Sequence, residues 1–182
     1  MRFVSLSVDD APAGSRRFLE ASAKQFGFVP SPVAKTARSP ALLGHLLAGF
    51  AAFDRSSLSG AEREVIAMTV ARANECGYCV ALHSAALTRD PALAALVEPL
   101  RAGVSLSDPR LEAVRRFSVA LLEGRGAVGD DDWRAFEAAG FGEEQALDVV
   151  LGVGVYVLST FANRATRAEL DAPFVPFAWR RD

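Results

Sequence analysis

Two cysteines, two lysines, two histidines and one isoleucine stand among 182 residues, and no sign of charge dominates: 20 basic against 22 acidic side chains give a formal net charge of −2. Each shortage excludes something. A chain this poor in cysteine is not a disulfide scaffold, and its pair, Cys76-Gly-Tyr-Cys79, is too close in sequence to staple distant segments. Balanced charge, with no block of like residues, leaves no electrostatic footprint for nucleic acid or for an anionic membrane surface. The basic residues are 18 arginines and only Lys24 and Lys35, an imbalance that reflects genomic base composition rather than a binding surface. The longest apolar run, residues 149–162, is 14 residues long, short of the ~20 a spanning helix needs, and is read as a buried helix. Acidic Asp9 and Asp10 interrupt the amino terminus before any apolar region of signal-peptide length, so a cytoplasmic location is expected.

What is abundant is alanine, 33 residues, with few stretches alternating at period two. The expectation is an all-α fold in a single domain, 1–182, with a lead-in over 1–15 and an arm over 171–182. At this length folding buries about two-thirds of the unfolded chain's surface, enough for a core without staples. Helices are expected over 16–26, 41–53, 61–73, about 76–88, 91–102, 110–123, 130–139 and 143–165, with Gly27-Phe-Val-Pro-Ser-Pro a break and 124–129 a loop. Start signals support them: Ser39-Pro40, the capping-box spacing Ser59…Glu62, Asp90-Pro91, Asp108-Pro109, and Asp130 or Asp131. The tail, with three aromatics and two prolines, reads as an extended arm packed on the body or on a neighbouring subunit. His45, among leucines of the second long helix, reads as core or interface packing. Gly152 and Gly154 read as close helix packing, because no strand precedes them as a dinucleotide fingerprint requires.

Chemistry concentrates in Glu64, Cys76, Cys79 and His83. With a helix starting near Cys76, Cys79 and His83 are four residues apart and share a face, and the two thiols lie within one turn. Unpaired amides at the helix start favour a thiolate, so a redox dithiol is physically sensible. Glu64 lies 12 residues before Cys76, ~18 Å along a straight helix, so the chain must bend around residues 74–77 to bring it to the thiols. Tyr78 either packs or lines a substrate mouth. The same four side chains could instead ligate zinc, making the protein a metal-binding module.

A glutamate, eleven residues, Cys-x-x-Cys, three residues and a histidine resembles the signature of the AhpD-like alkylhydroperoxidases of the carboxymuconolactone decarboxylase superfamily. The flanks Leu58-Ser-Gly-Ala-Glu-Arg-Glu64 and Val70-Ala-Arg-Ala-Asn74 are similar to that family's run into its cysteines, and Phe161-Ala-Asn-Arg164 with Leu170-Asp171 to the closing segment of a peroxidase-related branch. The resemblance implies an AhpD-like multi-helix fold with the cysteine motif at the start of a central helix, and a homo-oligomer. It implies a thiol-dependent peroxidase that reduces an organic hydroperoxide or hydrogen peroxide with no cofactor. Cys79 would be peroxidatic, Cys76 resolving, and His83 and Glu64 a proton relay, with an unidentified thiol or disulfide reductant as partner. Where the best-known members carry histidine before the second cysteine, this chain has Tyr78, which shortens the relay. General thiol–disulfide exchange with a protein partner is the alternative within the same chemistry, and a decarboxylase, lactone enzyme or non-catalytic scaffold the alternative within the wider superfamily.

Overall fold

The computed structural model describes residues 3–181 and is built from helices, with no strand among the described residues. Among the described residues nine α-helices follow one another: α1 (Ala13–Phe26), α2 (Ser31–Thr36), α3 (Pro40–Phe53), α4 (Gly60–Ala73), α5 (Gly77–Arg89), α6 (Val97–Ala102), α7 (Pro109–Glu123), α8 (Asp130–Ala138) and α9 (Glu143–Thr166). Short 3₁₀ turns cover Ala94–Leu96 and Ala172–Phe177. Residues 1, 2 and 182, the ends of the expected lead-in and arm, lie outside the described residues.

Start signals in the sequence become hydrogen bonds. Ser39 accepts from Leu42 N–H at the head of α3, and Asp108 from the Arg110 and Leu111 amides at the head of α7. At α4 the capping box closes in both directions: the Glu62 carboxylate accepts from Ser59 N–H at 2.7 Å, and the Ser59 hydroxyl from Glu62 N–H at 3.3 Å. Buried Glu62 also takes the Arg110 guanidinium at 2.7 Å, so one carboxylate caps α4 and pins it to α7. Two start signals act otherwise. Asp90 accepts from Ala92 N–H and makes a turn, with helix resuming only at Ala94. Gly129 flanks α8, and Asp130 to Asp132 occupy its first turn, where their charge meets the positive end of the helix dipole.

Helix α4 is the hub, with Val65, Ile66, Met68 and Val70 fully buried, and it packs against α5, α7 and α9. The larger core gathers around it. A smaller one, Ala11, Leu19, Ala37 and Leu43, joins α1, α2 and α3. Gly152 lets α9 approach α3 and α4: a Cβ there would lie 2.5 Å from the buried Phe53 ring and 3.1 Å from Ile66. Gly154 has open space and plays no such part.

Several expectations need correction. The 27–32 break holds a helix, α2, because Pro32 sits in its first turn, where the missing N–H costs nothing. Helix α1 begins at Ala13, inside the expected lead-in. The tail is not extended: residues 172–177 wind into a 3₁₀ turn against α5, with Phe174 buried and its ring on Tyr78. His45 is exposed, so it is not a core residue. The last helix is as expected: the apolar run lies inside the 24-residue α9, which by length and composition alone is long enough to cross a bilayer and here packs against α2, α3, α4 and α7.

Candidate functional site

The bend that the spacing of Glu64 and Cys76 demands lies where expected. Asn74 ends α4, and Glu75 takes a left-handed conformation (φ 53°) that turns the chain. Cys76 N–H then reaches back to the Ala71 carbonyl at 2.9 Å. From α9, Thr160 accepts from the Asn74 side chain at 2.9 Å and Arg164 donates to the Asn74 carbonyl, so α9 clamps the bend. Cys76 becomes the N-cap of α5, its sulfur accepting from Cys79 N–H at 3.4 Å.

All four candidate residues gather around this corner. The Cys76 and Cys79 sulfurs are buried, unbridged and 2.9 Å apart, close enough for one S–H to donate to the other sulfur. On α5, one turn on, His83 Nδ1 meets Glu64 Oε2 of α4 at 2.9 Å. A Nδ1–H donated to that carboxylate leaves the other ring nitrogen free to exchange a proton. Burial raises the Glu64 carboxyl, but the charge and hydrogen bond of His83, with Arg63, carry it below its usual range.

The thiols titrate as a pair. The Cys79 S–H donated to Cys76 brings the Cys76 thiol down to about 7, against the pull of burial, with Cys79 N–H, Asn163 and His83 adding to the effect. Cys79 moves the other way, because it donates its S–H to Cys76 and burial disfavours a charge on its own sulfur. The reduced pair therefore rests with its negative charge on Cys76 and its one proton on Cys79.

Helix α9 supplies a wall of the site. Asn163 donates from Nδ2 to the Cys79 sulfur at 3.2 Å and lies 3.9 Å from that of Cys76. Tyr156 sets its ring edge-on to His83, centroids 5.3 Å apart, and burial pushes its phenol well above the ordinary range, so it remains a proton donor near neutrality. One signal was available: Tyr156, Ser159 and Asn163 recur at helical spacing through an apolar run, a polar stripe inside a buried face. Tyr78 both packs and lines. Its hydroxyl donates to Asp171 at 2.6 Å, while its ring stands in the wall of a cavity of about 440 Å³.

That cavity is lined by apolar Phe26, Leu47, Phe50 and Leu82 and by polar Ser22, Gln25, Asp54, His83, Tyr156, Ser159 and Asn163; the sulfurs lie behind Asn163 rather than in the lining. A larger cavity, about 680 Å³, lies between α4, α7 and α9 among arginines and does not include the relay residues. The chemistry points to the smaller one. Zinc finds no support: the sulfurs face each other, His83 is engaged by Glu64, and no group of three or more His, Cys, Asp or Glu among the described residues could hold a metal ion.

Known proteins share this fold. Residues 40–117, from α3 through most of α7 and including the whole cysteine corner, match the carboxymuconolactone decarboxylase family. The fold is similar to that of the alkylhydroperoxidase AhpD core, an uncharacterized peroxidase-related protein from Ralstonia eutropha JMP134 (TM-score 0.81, 24% identity, covering 95% of this chain and 93% of that one). It is similar also to an uncharacterized peroxidase-related protein from Silicibacter sp. TM1040 (TM-score 0.80, 23% identity, 95% and 93% covered). A third similar structure is a cysteine-to-alanine variant of the debrominase Bmp8 in complex with 2,3,4-tribromopyrrole (TM-score 0.78, 16% identity, 97% and 95% covered). No curated protein matches significantly. The match over residues 40–117 and the solved structures meet on the same helices, and the chain has the AhpD-like fold, with its α3–α7 segment similar to the carboxymuconolactone decarboxylase family.

Proposed function

We propose that the protein is a thiol-dependent peroxidase that reduces an organic hydroperoxide through a Cys76/Cys79 dithiol–disulfide cycle. The observation that carries this reading is the buried, unbridged sulfur pair at 2.9 Å, which Asn163 links to the adjoining cavity. Asn163 and Ser159, which border that cavity, favour charge on Cys79, whereas Cys76 is charged at rest. Transfer of the shared proton across the S···S contact puts the thiolate on Cys79. Its sulfur attacks the terminal peroxide oxygen: the S–O bond forms, the O–O bond breaks, and the alkoxide leaves as alcohol with a proton delivered through His83. Cys76 then loses its proton and attacks the Cys79 sulfenic acid; the S–S bond forms and hydroxide, protonated, leaves as water. The peroxide gains two electrons and the dithiol loses two, so a thiol or disulfide reductant must close the cycle.

The apolar sides of the cavity support an organic hydroperoxide over hydrogen peroxide, and exposed Leu147, Val150 and Phe161 on α9 support association of copies. The aromatic wall also admits a flat brominated ring of the kind Bmp8 holds. On such a ring the dithiol's two electrons and a proton would replace C–Br by C–H, releasing bromide. The test is peroxide-dependent oxidation of reduced protein, wild type against Cys76→Ser, Cys79→Ser and His83→Ala, with cumene hydroperoxide, and bromide release from 2,3,4-tribromopyrrole in parallel. Loss of turnover in both cysteine variants supports the reading. Equal rates in all four proteins refute it, and bromide release without peroxide consumption assigns the dithiol to dehalogenation.

A further inference from the structure

The dithiol's resting charge is on Cys76, yet the cavity-bordering donors favour charge on Cys79. Something must stabilise negative charge on the second sulfur once the proton crosses, because Cys79 is enclosed and a bare thiolate there is costly. Asn163 is placed to do it. It is 6% exposed, one turn after Ser159 on α9, and its Nδ2 points at the Cys79 sulfur 3.2 Å away. A neutral amide donor cannot take the proton, and its preference for the nearer sulfur does not depend on pH.

We propose, building on the dithiol reading, that Asn163 is a positioning residue: its side-chain amide holds negative charge on the Cys79 sulfur after proton transfer to Cys76, and so selects the sulfur that meets substrate. The same N–H stays within reach of the Cys79 sulfur through attack, so the residue favours the charged sulfur over the protonated one rather than binding both equally. The other groups around the pair are His83 and Tyr78 on α5, Glu64 on α4, Tyr156 and Ser159 on α9, and Asp171 before the C-terminal turn; replacing Asn163 leaves every one of them in place.

The test isolates Cys79. In a Cys76→Ser background, thiolate absorbance at 240 nm is followed against pH for Asn163, Asn163→Leu and Asn163→Asp, the last two close in shape to asparagine. Loss of one hydrogen bond to a charged group raises the Cys79 ionisation by about one pH unit, roughly tenfold in thiolate at a fixed pH below the midpoint. Asn163→Asp raises it at least as far, because its carboxylate repels the thiolate. If Asn163→Leu folds poorly, Asn163→Ala, which removes the donor without adding charge, decides. An unchanged Cys79 midpoint overturns the proposal even if wild type consumes peroxide. A raised midpoint upholds it even if wild type consumes none, in which case the peroxidase reading alone fails.

Discussion

Replacing Cys79 by alanine removes the S–H that lowers the Cys76 ionisation most, and leaves Cys76 its backbone donor from residue 79 and its distance to His83. With Cys76 at about 7, half the pairs carry a thiolate at pH 7. A free thiol near 8.5 is about 3% ionised at that pH, a ~15-fold difference; the surviving backbone donor keeps the variant short of that limit, so a fall of about 5- to 15-fold is expected. Absorbance at 240 nm from pH 5 to 10 measures this directly on protein reduced and kept anaerobic. Wild type should gain its first thiolate through about pH 7, and Cys79→Ala at least one pH unit higher. The sign follows from the lowered value: stabilisation of the fold by this thiolate is complete above ~8.5 and is lost as pH falls through about 7. If the midpoint stays at 7 without the Cys79 sulfur, the shared-proton description is wrong, and α5's N-terminus or His83 must set it.

Glu64→Gln keeps a hydrogen-bonding partner for His83 but removes the charge, so peroxide consumption should drop about tenfold or more, with the dithiol absorbance profile little changed; an unchanged rate makes the pair structural only. Gly152→Ala drives a methyl into the Phe53 ring, at a cost of about 1–3 kcal/mol, a Tm loss of roughly 2–12 °C for a domain of this size. A Tm within 1 °C of wild type shows that the α9–α3 approach has slack. Leu147 and Phe161 are 69% and 58% exposed, so Leu147→Glu with Phe161→Glu should lower the mass seen by light scattering if α9 joins copies; an unchanged mass removes that face from any assembly.

Local rules made much of this architecture readable in advance. Caps at Ser39, Ser59 and Asp108 act through neighbours within four residues, so composition at those positions foretells their hydrogen bonds. The bend at Glu75 was legible because Glu64 and Cys76 could not meet along a straight helix. Other features depend on partners distant in sequence. The tail winds against α5 because Asp171 accepts from both Ser31 N–H and Tyr78, and Arg101 holds the carbonyls of Phe177 and Ala178. The 171–182 segment announces none of these contacts. Pro30 and Pro32 read as breakers, although one of them opens α2. Glu64 was legible by its spacing to the cysteines, whereas the more deeply buried carboxylate, Glu62 on the face toward α7, was legible only as a cap. Tyr156 escaped because hydrophobic neighbours on α9 concealed its spacing, and Asn163 was noted only within the closing segment, with nothing local to tie it to a cysteine 84 residues earlier.

The central claim is that both sulfurs take part in one two-electron reduction. Anaerobic titration of fully reduced protein with cumene hydroperoxide, followed by thiol counting and mass spectrometry of the peptide spanning residues 76–79, tests it most directly. One equivalent of peroxide should consume both thiols, yield one equivalent of the alcohol and lower the peptide mass by about two hydrogens. Retention of both free thiols after excess peroxide contradicts the account.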